Sequence, residues 1–441
     1  MILSVVKRDG TIEPFDYYKI EKAILKAFDS VDENVKDEYE TLAYNIAHKI
    51  GNEVDKQISV EEIQDIVEQE LMASDRKDVA KAYIIYRNER TKEREKKSEL
   101  AKKIKERLHK TVNERSNANV DEESFSGREK EISGDVAKSI ALDYGEFSDD
   151  VAQAHKDMLI YQHDLDKAIY GEHNCLFVNF QELFENGFKT RNGDVRPPSS
   201  FSTACQQMAV AFQCQSQIQY GGCASMHCDI DLAPFVRKSF YHHFKEGSMW
   251  LSSTEFYKAF NADYNNLKKK NDVSIADFME YIHKQYEIND DDNVSKVYDY
   301  AMYMLKQEMK QSAEALFHNL STLESRQGSQ VPFTSLDYGR DTSMEGRMVS
   351  EALLNASISG IGKHHLTSIF PISIFQYKAG TNANPEDKNY DLKQLALESM
   401  SKRIYPNWVN CNWSQGNEIE DEPDSWVATM GKCKCSPFKI F

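Results

Sequence analysis

Three groupings in this chain have residue types and spacings that could do chemistry: a cysteine at the mouth of an apolar run, a histidine beside an aspartate, and a cysteine pair flanking a histidine. Cys175 opens the run Cys175–Phe180 within EHNCLFVNFQELFENGF. So short and continuous a run predicts a strand buried on both faces, because a strand facing water on one side would alternate. A thiol there ordinarily packs as a small hydrophobe. His163 and Asp164, in YQHDLD, pair an imidazole with a carboxylate. Such a pair either orients a ligand and moves a proton or satisfies a histidine at a helix end. Cys223-(x4)-Cys228 with His227 has the wrong spacing for a zinc knuckle and no second pair nearby, so no metal site is expected. Gly360-Ile361-Gly362-Lys363 is not a P-loop: Ser357 stands where the first glycine belongs, and His364 where Ser or Thr is required.

The elements that must position these residues begin with a hairpin. Ile2–Val6 reads as a strand, Lys7-Arg8-Asp9-Gly10 as a turn, and Thr11–Phe15 as the return. Asp16 caps a helix with Ile20, Ala23, Ile24, Ala27 and Phe28 on one face. A second helix covers roughly 38–51. A third opens at Ser59 with Glu62 in a capping box and buries Ile63, Ile66, Val67 and Leu71. A fourth follows Asp78, with Val79, Ala82, Tyr83 and Tyr86 on one side. From Asn88 to Leu108 the chain is almost all Lys, Arg and Glu, a solvated connecting helix. NERSNANVDEESFSGREKEISGD then reads as polar loop. Beyond Cys175, Gln181–Asn186 is a turn or helix closed by Gly187. Gln219-Tyr220-Gly221-Gly222 is a loop that admits close backbone approach to a ligand. Cys205 and Cys214 fall on a helical apolar face. Residues 249–309 are largely helical. Val331–Leu336 and Ile369–Phe375 read as buried strands preceding helices, a parallel α/β layout.

At 441 residues, 40% hydrophobic and 28% charged, the composition is that of a globular protein of two or more domains. A net charge of −17 argues against a sequence-independent grip on nucleic acid, while leaving room for small anionic ligands in a local cationic pocket. No apolar run reaches membrane-helix length, and the eight scattered cysteines suit a reducing cytoplasm.

Taken as strings, two stretches carry a resemblance. VVKRDGTIEPFDYYKIEKAI, together with the closing AYIIYRNER, resembles the ATP-cone, a regulatory nucleotide-binding module at the front of many ribonucleotide reductases. That resemblance implies that Lys7, Arg8 and Lys19 approach phosphates and that Glu13 and Asp16 sit near base or ribose; Arg87 is a weaker carry-over. Cations on a tight hairpin beside a helix start can bracket a triphosphate. HNCLFVNFQELFENGF, QYGGCASMHCDIDLAPFVRKSF, HNLSTLESRQGSQVPFTSLDYGRDTSMEGRMVSEALL, IFPISIFQYKAG and NPEDKNYDLKQLALESMSKRIYPNW resemble, in order, the catalytic domain of the anaerobic, formate-using ribonucleoside-triphosphate reductases.

The implied fold is α/β plus α: an ATP-cone at 1–92, a charged helical connector at 93–135, and the first half of a ten-stranded α/β barrel at 136–441. The implied chemistry is reduction of ribonucleoside triphosphates by a cysteine thiyl, formed by a glycyl radical, with formate as reductant and ATP or dATP with Mg2+ as allosteric effectors. Cys175 becomes the strand cysteine opposite the thiyl, and His163 a ligand-orienting or proton-moving group. Sulfur can deliver a hydrogen atom across a short gap in a dry site. The family's finger-loop cysteine falls on Lys432, with Cys433 one residue late and Cys435 close by. KCKCSPFKIF departs from the family pattern, as a split or interrupted gene or a misread one would. The second half-barrel, a zinc-binding four-cysteine region and the glycyl-radical loop are then expected in a separate C-terminal polypeptide, and the chain alone is expected to be inactive, with its region from Asp391 loosely held and Cys433 and Cys435 accessible. Implied partners are a radical-SAM activating enzyme, that polypeptide and, when complete, a second copy in a homodimer; nucleic acid and membrane are not among them. The rival reading is a catalytically dead nucleotide-sensing fragment. A cone-bearing transcriptional regulator is disfavoured because no cysteine precedes Cys175, and a formate lyase because the cone regulates nucleotide reduction.

Overall fold

The computed structural model describes residues 2–8, 10–31, 36–53, 56–109, 123–171, 173–269, 273–289, 292–413, 422–423, 426, 428–430 and 433–435. The chain forms two compact units, 1–109 and 110–441.

The first unit contains β1 (Ile2–Val6), β2 (Ile12–Pro14), α1 (Tyr17–Asp29), α2 (Lys36–Glu53), β3 (Lys56–Ser59), α3 (Val60–Ala73) and α4 (Lys77–Leu108). Gly10, at φ +85°, closes the β1–β2 turn and donates to the Lys7 carbonyl at 3.0 Å. Asp16 accepts from the Tyr18 N–H at 3.0 Å to start α1, and Ser59 with Glu62 completes the capping box of α3. Ile24, Phe28, Ala47, Ile50, Leu71 and Val79 form a core of their own. Two expectations change. The sheet has three strands, since β3 pairs parallel with β1; a four-residue strand is too short to show a period. Tyr86 is exposed, and α4 runs unbroken through the charged stretch to Leu108.

The second unit opens with α5 (Phe125–Asp143) and α6 (Asp149–Lys156), then β4 (Leu176–Phe177), α7 (Phe180–Asn186), β5 (Phe188–Thr190), β6 (Gly193–Val195) and α8 (Phe201–Ser216). Next come β7 (Cys223–Ser225), α9 (Cys228–Leu251), α10 (Thr254–Lys269), α11 (Ile275–Gln285) and α12 (Val294–Thr322). The remainder is β8 (Thr334–Tyr338), α13 (Met344–Ser359), β9 (Ile372–Tyr377), α14 (Tyr390–Arg403), β10 (Asn407–Asn410), β11 (Ala428–Met430) and β12 (Cys433–Cys435). Strands β4-β7-β8-β9-β10 lie in that order in one all-parallel sheet, with helices between consecutive strands. Leu336, Tyr338 and Phe375 join the core made by α8, α9, α12 and α13. By the two-residue period Ser335 and Asp337 occupy the opposite face of β8, and there the Thr429 N–H of β11 donates to Asp337 Oδ2 at 2.8 Å. β11 and β12 pair as an antiparallel hairpin.

Four further expectations are corrected. β4 has only two residues, both half-buried, because it is an edge strand paired with β7 alone. Phe180 leaves that run to begin α7, with Gly187 closing it at φ +74°. The second half of the stretch read as loop is helical: Ser124 caps α5, and the face it buries is Gly127, Gly134, Ala137 and Ala141, small residues that leave no large apolar period. Cys214 is exposed, whereas Cys205 is buried. In the region from Asp391 expected to be loosely held, the described α14 packs on α13 and β10 extends the sheet, while residues 414–421 and 436–441 lie outside the described residues. Asp391 also accepts from Arg347 at 2.6 Å.

Candidate functional site

In the second unit the site is built around the start of β4. The Gly222 N–H donates to Cys175 Sγ at 3.4 Å, and Cys175 Sγ lies 3.3 Å from Asn174 Oδ1. Tyr220 N–H donates to the His173 carbonyl and Leu176 N–H to that of Gly222, so the 219–222 loop is stitched alongside the strand. The loop does allow close approach, but to the chain's own backbone. A Cβ on Gly221 would lie 2.4 Å from the Asn174 carbonyl carbon and oxygen. The pairing of Phe177 with Ala224, and of Ala224 with Ser335, puts Phe177, Ala224 and Ser335 on one face. The two-residue period adds Asp337 to it, while Cys175 lies just before β4. This is the face on which β11 rests.

That face also holds buried acid. Burial pushes the Asp337 carboxyl well above its ordinary pKa, and its Oδ1 has no hydrogen-bond partner among the described residues. Asp229 Oδ2 accepts the N–H groups of Gly339, Arg340 and Asp341 at 2.8–3.1 Å, pinning the turn after β8 to α9. His227 Nδ1 is 3.0 Å from Asp231 Oδ1. Arg340 lies 3.7 Å over the Trp426 ring. Neither Asp337 nor Asp229 stood out in the sequence. Each looks like an ordinary strand-end or helix-start polar residue, and only burial distinguishes them. His163 keeps an exposed ring paired with the Asp164 carboxylate, and no hydrogen bond among the described residues joins it to Cys175. The Cys433 and Cys435 side chains lie outside the described residues; their backbone forms β12. Among the described residues no group of three or more His, Cys, Asp or Glu could hold a metal ion, and no helix is long and apolar enough to cross a membrane.

In the first unit Lys7 and Lys19 both meet Glu13, at 3.1 and 3.2 Å, and together they hold its carboxyl below the usual range. Arg8 and Arg87 meet at Glu61; Arg8 also reaches Gln64 at 2.8 Å, and Arg87 reaches Asp65 and Glu68 at 2.7 and 2.8 Å. Asp16 serves as the α1 cap. The α3 carboxylates were missed in the sequence, although Glu61, Asp65 and Glu68 share one helical face at spacings of four and three. A cavity of about 350 Å³ lies beside them, lined by Gln64, Tyr83, Tyr86, Arg87 and Arg90 among others.

A small hairpin-and-helix module with paired lysines and arginines thus precedes a parallel α/β unit with a thiol at its sheet edge. The family model described as anaerobic ribonucleoside-triphosphate reductase matches residues 116–436, and the ATP cone domain model matches residues 3–92. The chain belongs to the anaerobic ribonucleoside-triphosphate reductase family. It is 34% identical to the anaerobic ribonucleoside-triphosphate reductase of Haemophilus influenzae over 97% of this chain and 54% of that protein. To the Escherichia coli enzyme of the same name it is 32% identical over 92% of this chain and 51% of that one. The crystal structure of the anaerobic ribonucleotide reductase from Thermotoga maritima in complex with dATP and CTP is similar at TM-score 0.42 and 15% identity, over 72% of this chain and 49% of that chain. The chain spans about half the length of the curated relatives it matches.

Proposed function

We propose that this chain supplies the nucleotide-sensing module and the first half of the catalytic barrel of an anaerobic ribonucleoside-triphosphate reductase, with formate as reductant. The observation that carries the reading is the seat of Cys175. Its thiol is held by the Gly222 N–H at the edge of a five-stranded parallel sheet, and the β11–β12 hairpin meets that sheet at Asp337 of β8. Cys175 gives a hydrogen atom to the ribose, Cys433 stands in for the finger-loop cysteine, and His163 orients a ligand or moves a proton. A glycyl radical, carried with the zinc site in the half of the relatives that these residues do not span, takes the hydrogen of the Cys433 thiol and regains it at the end of each turnover, while formate supplies the two electrons that reduce the ribose as water leaves.

Residues 1–92 form the regulatory cone, 93–135 the connector and 136–441 the partial barrel. ATP or dATP, with Mg2+, binds at Lys7 and Lys19, which meet at Glu13, and at Arg8 and Arg87, which meet at Glu61, with Glu13 and Asp16 toward base and ribose. Glu13 pairs with Lys7 and Lys19, and Glu61 with Arg8 and Arg87, so phosphate binding exchanges one set of ion pairs for another. The protein works in the cytoplasm with a radical-SAM activating enzyme, and as a homodimer once the complementary half is present. The test is anaerobic conversion of ribonucleoside triphosphates with formate and the activating enzyme. The chain alone should form no deoxynucleotide, and the chain mixed with a polypeptide covering the rest of the relatives' length should. Deoxynucleotide formation by the chain alone would overturn the need for that half.

A further inference from the structure

We propose that Lys130, on α5, is a positioning residue for Cys175, acting through two loops that enter the sheet side by side. This rests on the reading that Cys175 is the reacting thiol.

The first link is between α5 and the 326–330 turn. Lys130 Nζ donates to Gln330 Oε1 at 2.7 Å, across 200 residues of sequence. The lysine stem lies against Gly328, where an added Cβ would come within 2.5 Å of Lys130 Cδ, and Gly328 N–H donates to Ser126 Oγ at 3.0 Å. Lys167 holds the same turn at Gln327 Oε1, 3.1 Å away. The turn is tight: Gly328 and Ser329 both take positive φ, and Arg326 N–H donates to the Gln330 carbonyl at 3.0 Å.

The second link runs from that turn to the thiol. The Arg326 guanidinium donates to the Tyr220 carbonyl and stacks 3.9 Å from the Phe333 ring centre. The Phe333 carbonyl in turn accepts the Cys223 N–H at 2.8 Å. Tyr220 and Gly222 belong to the loop whose N–H groups hold His173 and Cys175. The path from Lys130 to the sulfur therefore runs through hydrogen bonds and short stretches of backbone. Burial, and the nearby charges of Arg326 and Lys167, lower the Lys130 amine to about 8, with Asp166 and Glu131 opposing. Lys130 and Lys167 thus hold the turn from one side at Gln330 and Gln327, and Arg326 ties it to Tyr220 from the other.

The test reads Cys175 directly and needs no turnover. The full chain is alkylated with iodoacetamide, and the rates at Cys175 and at the exposed Cys214 are followed by mass spectrometry. Lys130→Met should raise the Cys175 rate about fivefold relative to Cys214, and Lys130→Arg should restore it. Gln330→Leu breaks the same bond from the other side and should give the same change, with the double variant no faster than either single one. An unchanged Cys175 rate in either single variant whose thermal melt matches the parent overturns the proposal. So does a parallel rise at Cys214, which would mark a general loosening. A result for or against the clamp is separate from the reductase reading, which stands or falls on whether Cys175 is needed for turnover.

Discussion

Gly222 and Cys175 are joined by a backbone N–H donated to sulfur at 3.4 Å, and this bond exists because Gly221, one residue earlier, lets two backbones touch. A side chain at 221 would collide with the Asn174 carbonyl. Gly221→Ala should therefore lower stability by about 1–3 kcal/mol. It should also speed alkylation of Cys175. Urea unfolding followed by circular dichroism checks the first expectation; an unchanged midpoint would contradict the close approach.

The cone prediction concerns charge. Lys7→Ala with Lys19→Ala removes both lysines that share Glu13. Removing each charge-assisted hydrogen bond to phosphate should weaken ATP binding by about 1.5–3 kcal/mol. Isothermal titration of the full chain measures it, and undiminished affinity would remove these lysines from the site.

Asp337 gives a pH prediction. An unfolded aspartate titrates near about pH 4, and burial raises the folded value well above that. Between the two, the folded chain keeps a proton that the unfolded chain releases, so stability falls as pH rises through that window. Asp337→Asn still offers an acceptor to the Thr429 N–H but cannot ionise. Its melting temperature relative to the parent should rise between about pH 4 and about pH 8. A constant difference across that range would mean that Asp337 is not buried as the structure has it.

Much of the local structure was legible because short-range chemistry decides it. The Asp16 cap, the Ser59–Glu62 box and the Gly187 stop follow from residues within a turn of one another, and the order of parallel strands and helices follows from the local runs that alternate along the chain. What escaped were features settled by distant partners. β3 is a strand only because β1 lies beside it, and α5 buries glycines and alanines that carry no amphipathic signal. Asp337 is buried by tertiary packing and bonded by Thr429 of β11, and Lys130 meets Gln330 through tertiary packing alone. Cys175 was found by the string around it. Its edge position, half exposed and held by a neighbouring loop, could not be read from an apolar run.

The central claim is that Cys175 belongs to the reaction and not to the packing. The direct measurement is anaerobic deoxynucleotide formation by the reconstituted pair of polypeptides carrying Cys175→Ser, compared with the parent. The thiol is half-buried at a sheet edge, so the variant should fold and bind ATP like the parent while forming no deoxynucleotide. Turnover at the parental rate in the serine variant would contradict the account.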